Sequence, residues 1–122
     1  MRRCDAIFYE KKIVIPDFDF ADSKYRSFSI SEEGTLTINM QSWQDDPFKI
    51  VFLNVIQFTY KIGFVSKDLF ESLESSLFLE EALSLEYENI PSNHPFKHFQ
   101  LEDIYDFAFI QVVAESVKLM KS

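Results

Sequence analysis

Apolar and polar residues alternate strictly over residues 25–41, and this period of two constrains the fold of the chain more than any other feature. Successive side chains of a strand point to opposite faces, so the alternation predicts two strands, each with one buried and one solvated face. The connector Ser31-Glu32-Glu33-Gly34 places a glycine late, where a positive φ is commonly required. The segment is therefore predicted to be a β-hairpin.

Two later segments are apolar on both faces, which is typical of strands in the centre of a sheet. They are Phe48–Tyr60, interrupted at Asn54 by a candidate bulge, and Phe107–Ala114. Shorter apolar runs predict further strands at residues 7–9, 13–15 and 96–101, and a last strand or short helix near 117–119. We expect turns at Glu10-Lys11-Lys12, Asp45-Asp46-Pro47 and Glu102-Asp103.

The sequence also predicts one main helix near residues 66–80. Ser66 is a candidate N-cap, and Asp68 and Glu71 would meet the positive end of the helix dipole. Apolar residues follow at helical spacing, whereas residues 82–88 alternate and favour an edge strand. The pattern leaves helix as the alternative for residues 80–88. The expected fold is a single α+β domain over residues 1–122, with a mostly antiparallel sheet of about six or seven strands.

Composition narrows the class of protein. A hydrophobic fraction of 47% with 14 Phe excludes intrinsic disorder, and two Gly leave no glycine-rich phosphate loop. One cysteine cannot form an internal disulfide, and no apolar run has the length of a signal peptide or a membrane span. We therefore expect a cytoplasmic protein that does not contact a membrane.

His94 and His98 are the first candidates for chemistry, as metal ligands together with Glu102 or Asp103, or as a general base. Two histidines without a third ligand at a known spacing are a weak motif. No nucleophile has a recognisable signature around it, and Cys4, although close to Arg2 and Arg3, is better interpreted as an incidental thiol.

The carboxylates offer two further motifs, and neither is convincing. Asp17, Asp19 and Asp22 resemble the start of a calcium loop, but the residues at its sixth and twelfth positions do not match. Glu102, Asp103 and Asp106 have the composition of a glycosidase acid/base pair, but turn and capping roles explain them more simply. We therefore predict no catalytic, cofactor-binding or metal-binding residue, no cofactor and no enzyme activity.

The distribution of charge is the best clue to function. Residues 68–96 contain seven carboxylates and no Lys or Arg, and most of the net charge of −8 lies in the second half of the chain. Ordinary surfaces mix the two signs, whereas a field of one sign attracts a partner of opposite charge. The pattern favours a basic protein partner and disfavours nucleic acid, since phosphate contacts need clustered Lys and Arg.

These observations predict a non-catalytic, acidic protein-binding module, such as an immunity-type inhibitor of a basic toxin or nuclease. The expected partner-binding residues are Trp43, Glu80, Glu81, Glu86, Tyr87 and Glu88. For Trp43 a buried structural role is the favoured alternative. Other interpretations are a regulatory subunit that forms a homo-oligomer through an edge strand and, last, a small-ligand binder or enzyme that uses His98.

Overall fold

The computed structural model describes residues 11–63, 65–73 and 76–121, which form nine strands and one helix. The elements in chain order are β1 (Lys11–Ile13), β2 (Lys24–Ile30), β3 (Leu36–Gln41), β4 (Pro47–Leu53), β5 (Gln57–Tyr60), β6 (Ser66–Ser72), α1 (Leu77–Glu86), β7 (Lys97–Asp103), β8 (Ala108–Ala114) and β9 (Ser116–Lys121).

The strands form two antiparallel sheets. The five-stranded sheet has the order β1-β6-β7-β8-β5, and the four-stranded sheet has the order β2-β3-β4-β9. Antiparallel sheets with a single helix agree with the coarse prediction, but the expected six or seven strands are too few. One reason is that residues 48–60 are not one strand: β4 and β5 belong to different sheets, and Asn54 between them has a φ of 55°.

The predicted hairpin over residues 25–41 is confirmed as β2 and β3, but the buried face predicted for each strand is found only in β3. Phe28 and Ile30 of β2 are 45% and 55% exposed. The amide of Gly34 donates to the carbonyl of Ser31 at 3.0 Å, and Gly34 has a φ of 84°. A side chain at this φ would be strained, which explains why glycine stands late in the connector. The inward residues of β3 are Leu36, Ile38 and Met40, all buried as the alternation requires.

One apolar core lies between the two sheets. The four-stranded sheet contributes alternate residues of β3 and β4, and the five-stranded sheet contributes Leu69 of β6, alternate residues of β7 and four residues of β8. The rings of Phe52 and Phe99 meet across the core with their centroids 5.6 Å apart. The numerous phenylalanines thus fill the core, where each buried aromatic removes about 150–250 Å² from water.

The prediction of a helix over residues 66–80 is wrong. Residues 66–72 form β6, which pairs with β1 on one side and β7 on the other, and α1 begins at Leu77. Pairing on both sides of β6 overrides the local helical spacing. The N-cap is Ser76, not Ser66: its hydroxyl accepts the amide of Leu79 at 3.1 Å.

The predicted edge strand at residues 82–88 is also wrong, because α1 continues to Glu86. Its buried residues are Ala82 and Leu83, which are consecutive, whereas alternation would have buried Leu83 and Leu85 together. Leu85 is 84% exposed. Tyr87 ends the helix in an extended conformation, and its amide donates to the carbonyl of Leu83.

Two predicted turns also lie elsewhere. Lys11 and Lys12 belong to β1, while Glu10 lies outside the described residues. Glu102 and Asp103 are the last, buried residues of β7, and the turn follows them and includes Asp106, whose φ is 62°.

Helix α1 forms a third layer, on the outer face of the five-stranded sheet. Ala82 and Leu83 pack with Phe96 and Val113, whereas Val112, the neighbour of Val113 in β8, faces the core between the sheets. Neighbouring strand residues point to opposite faces, so the helix and the four-stranded sheet lie on opposite sides of the five-stranded sheet. Within the described part of the chain, no helix has the length and apolarity needed to cross a membrane.

Candidate interaction surface

A groove with a volume of about 410 Å³ opens where α1 ends. Its apolar floor includes Val55, Ile56 and Phe96. Four carboxylates from three separate parts of the chain line it: Glu32 and Glu33 from the β2–β3 turn, Glu86 from the last turn of α1, and Glu115 from the β8–β9 junction. We call this the acidic groove.

Backbone hydrogen bonds hold these connections together. The amide of Val55 donates to the carbonyl of Gly34 at 2.9 Å, which fixes the β2–β3 turn against the segment between β4 and β5. The amide of Glu115 donates to the carbonyl of Leu53 at 3.0 Å, which fixes the β8–β9 junction beside it. The convergence of the carboxylates is therefore built into the chain path and does not depend on side-chain pairing.

The electrostatics of the acidic groove are of one sign. No Lys or Arg is among its lining residues in the described chain, and the last turn of α1 contains no basic residue. The C-terminal end of a helix carries partial negative charge, which adds to that of Glu86. A concave site lined by one sign of charge concentrates counter-ions, so the groove favours a cationic group.

The solvent side of α1 continues this surface with two exposed leucines. Leu77 is 80% exposed and Leu85 is 84% exposed, and Glu81 lies between them. Residues four apart lie on the same side of a helix, so these three side chains form one stripe, the α1 stripe. It combines apolar area with negative charge and is opposite the buried Ala82 and Leu83.

The structure brings five of the six predicted partner-binding residues together. Glu80 and Glu81 are exposed on α1, Glu86 lines the acidic groove, and Glu88 is exposed just beyond the helix. Tyr87 is half-buried, with its ring 6.2 Å from that of Phe96 in an edge-to-face contact.

Trp43, the sixth predicted residue, lies apart from the other five. It belongs to the β3–β4 turn, whereas Glu32 and Glu33 lie at the other end of β3. Six strand residues at roughly 3.3 Å each separate the two ends by about 20 Å. Trp43 is 60% exposed, so the structure does not show the buried position that was the favoured prediction for this residue.

Trp43 lines a second groove of about 560 Å³ at its own end of the sheet. Phe18, Pro47 and Phe48 provide apolar lining, and the charged residues are Asp19, Asp46 and Lys121. The two acidic side chains are balanced in part by the lysine. This groove therefore lacks the single sign of charge that characterises the acidic groove.

Three lining carboxylates, Glu32, Glu33 and Glu115, were not among the predicted residues. In the sequence, Glu32 and Glu33 signal only a turn, and Glu115 is a single charge between two strands. Only the pairing of β4 with β9 and the contact between Gly34 and Val55 bring them to Glu86. The local sequence carries no signal for that proximity.

His98 is 4% exposed and lies beneath the start of α1. Its Nδ1 is 2.7 Å from the Ser76 hydroxyl, and its Nε2 is 2.8 Å from Oε1 of Gln111. A consistent assignment has Ser76 donating to Nδ1 and the Nε2–H donating to Gln111. Burial lowers the pKa of His98 below its ordinary value, and the hydrogen bond to Gln111 opposes that shift only in part. The ring is therefore neutral near pH 7.

This environment gives His98 a structural role. Its ring stacks at a tilt on Phe78, with centroids 4.9 Å apart, and both nitrogens are engaged. His94 lies in the preceding loop, where its Nδ1 accepts the amide of Phe96 at 3.2 Å. In the ranges 11–63, 65–73 and 76–121, no group of three or more His, Cys, Asp and Glu side chains is placed to hold a metal ion.

Each of the three carboxylates at and beyond the end of β7 has its own hydrogen-bond or ion-pair partner. Glu102 is buried and pairs with Lys11 at 2.7 Å. Asp103, the last residue of β7, accepts the amides of Tyr105 and Phe107 in the turn that follows the strand. Asp106 forms an ion pair with Lys67, and this hydrogen bond holds the pKa of Asp106 below its usual value.

The remaining predicted motifs add no site. Asp19 accepts the amide of Ala21 at 3.0 Å, which is a local turn contact. Cys4 lies outside the described residues. Comparison with known proteins gives no match, since no family model, no curated protein and no solved structure is significantly similar to this chain.

Proposed function

We propose that this protein is a non-catalytic module that binds a basic protein through the acidic groove and the α1 stripe. The observation that carries the proposal is the convergence of Glu32, Glu33, Glu86 and Glu115 on one apolar-floored groove that no Lys or Arg of the described chain lines. An inhibitor of a basic toxin or nuclease, acting in the cytoplasm, is the kind of protein that such a surface suits.

The shape and chemistry of the groove favour a Lys or Arg side chain. Such a side chain has a long apolar stem that packs well on Val55, Ile56 and Phe96, while its charged head meets the surrounding carboxylates. The exposed Leu77 and Leu85 of the α1 stripe would contact apolar residues of the same partner. A basic, amphipathic segment therefore complements this surface better than a purely polar cation does.

The test begins with capture from a native cell extract at low salt and elution with a salt gradient. The captured protein is then purified, and its affinity is measured by calorimetry for the wild type and for E86Q/E115Q, which neutralises two carboxylates of the acidic groove. We expect a loss of about tenfold, since two partly exposed charge contacts contribute on the order of 1–2 kcal/mol together.

D45N/D46N is the matched control, because it removes two charges at the Trp43 end of the molecule. Asparagine also tolerates the φ of 65° at position 45. Equal weakening by both double variants would argue for a non-specific effect of net charge. An affinity that does not change between about 0.05 M and 0.5 M salt would contradict an electrostatic site, as would the absence of any captured basic protein.

A further inference from the structure

The four-stranded sheet carries only positive charge. In a chain whose net charge is −8, its four strands contain five basic residues and no Asp or Glu. The basic residues are Lys24, Arg26, Lys49, Lys118 and Lys121. Acidic residues occur on this sheet's side of the molecule in the turns and junctions at the ends of its strands.

The strand register places two of these lysines on the outer face of the sheet. Phe48, Ile50 and Phe52 of β4 are buried in the core, so Lys49 and Val51, which alternate with them, lie on the other face of the sheet. Lys49 is half-buried there, and Val51 is 6% exposed. Val51 is paired with Lys118 of β9. Lys49 and Lys118 are thus diagonal neighbours on one face, with Cβ atoms roughly 7–8 Å apart.

No carboxylate of the described residues neutralises these two lysines. Neither Lys49 nor Lys118 forms an ion pair with any residue of the described chain, although carboxylates outnumber basic residues by 20 to 12. Their neighbours on the adjacent strands are uncharged side chains, among them Asn39, Thr37 and Met120. The outer face therefore carries unpaired lysines around the buried Val51.

The acidic and basic surfaces face away from each other. The α1 stripe lies outside the five-stranded sheet, and the lysines lie outside the four-stranded sheet, with two sheets between them. The two surfaces cannot meet within one molecule. They can meet only between two molecules.

We infer that the outer face of the four-stranded sheet docks onto the α1 stripe, together with the exposed Glu88 just beyond α1, of a second copy of this chain. The inference rests on the proposed function, because it assigns an occupant to the same acidic surface when no basic partner is present. Lys49 and Lys118 would face Glu81 and Glu88, and Met120 would contact Leu77 or Leu85. The interface is heterologous, so copies add head to tail.

The association is weak and has an unusual salt dependence. A ten-residue helix is about 15 Å long and presents less than the roughly 800 Å² per partner of a stable complex. Net charges of −8 repel over long distances and are screened first, since the Debye length is about 10 Å at 0.1 M salt. We expect association to be strongest near about 0.1 M salt and to be lost near about 1 M.

The test is sedimentation equilibrium at about 10 µM to 1 mM protein, a range suited to weak association. The wild type should exceed its monomer mass of 14.4 kDa as its concentration rises. K49E/K118E makes both surfaces acidic, and E81K/E88K makes both basic, so each variant alone should stay monomeric. An equimolar mixture of the two should associate again.

K61E/K97E is the control for net charge. It exchanges two exposed lysines outside the four-stranded sheet, and each exchange changes the charge by −2, so it has the same charge of −12 as K49E/K118E. It should associate as the wild type does, apart from the added general repulsion. The inference is overturned by a wild type that remains monomeric, by a mixture that does not associate, or by equal loss in K61E/K97E.

The two proposals can fail separately. K49E/K118E leaves the acidic groove unchanged, so it should bind a captured basic protein with at least the affinity of the wild type. Self-association without a basic partner would remove only the proposed function. Binding of heparin to the wild type but not to K49E/K118E, without self-association, would overturn the second copy as occupant and identify the sheet face as a polyanion site.

Discussion

His98 and Phe99 are neighbours in β7 and point to opposite faces of the five-stranded sheet. Phe99 joins an apolar core of buried side chains between the two sheets. His98 lies on the outer face, where Gln100 and Glu102 of the same strand are buried as well. The two faces of β7 are thus buried to a similar degree with different chemistry.

The difference concerns what each face needs in order to be stable. Burial of apolar area stabilises the inner face in proportion to the area removed from water. The outer face gains little from burying polar groups and depends on each of them keeping a partner, such as Ser76 and Gln111 for His98 or Lys11 for Glu102. The inner face should therefore respond to lost volume, and the outer face to lost partners and protons.

The largest expected effect comes from the inner face. Replacing Phe99 with Ala leaves a cavity beside Phe52, and we expect the free energy of unfolding to fall by about 3–5 kcal/mol. Urea denaturation measures this change. The Phe28→Ala variant is the control, because Phe28 is 45% exposed. This substitution should lower the free energy of unfolding clearly less. Equal losses in the two variants would refute an apolar core centred between the sheets.

An intermediate effect is expected when the outer face loses a partner. Ser76→Ala removes the N-cap of α1 and the hydroxyl bonded to His98, so we expect a loss of about 1–2 kcal/mol. Ser84→Ala is the matched control on the same helix: Ser84 is exposed and donates only to the carbonyl of Glu80. It should change stability by less than about 0.5 kcal/mol. A Ser76→Ala variant as stable as Ser84→Ala would contradict the role of the cap.

The smallest effect is expected from pH, since a proton disturbs the outer face less than a deleted side chain does. Burial lowers the pKa of His98 in the folded state below the value of about 6.5 in the unfolded chain. The unfolded chain therefore binds the proton first as pH falls. The contribution of the neutral His98 to the free energy of unfolding is fully present above about pH 6.5 and is lost progressively below it.

Urea denaturation at pH 7.5 and 5.5 checks this dependence, with His98→Gln as the variant. The wild type should lose more stability over this interval than His98→Gln does. The same loss in the wild type and His98→Gln would show that other groups govern the pH dependence.

The sequence predicts the parts of this fold that depend on local alternation. Residues 27–31 and 35–40 alternate, and a glycine with positive φ lies in the connector between them, so β2 and β3 could be located. Residues 48–60 mislead because apolar residues on both sides are typical of one central strand. Here two sheets share the segment, and the only local sign of the break is Asn54.

The helix shows a different limit of the sequence. Ser66 and Ser76 both have the features of an N-cap, and the choice between them depends on β1 and β7, which enclose β6. The acidic side of α1 is visible as a run without Lys or Arg, and that part of the candidate site was predicted. The acidic groove was not, because chain topology brings its carboxylates together.

The pairing of β4 with β9 has a kinetic consequence. It joins Leu53 to Ser116 and Phe48 to Lys121, so the paired residues are 63 to 73 positions apart in sequence. Every strand of the five-stranded sheet except β1 lies within that interval. Closing such a long loop costs entropy before its contacts form, and folding rates fall as contacts become less local. The β2–β3–β4 meander should therefore form early, and its β4 edge stays unpaired until β9 arrives. During that time the unpaired edge is the part of the folding chain most exposed to aggregation.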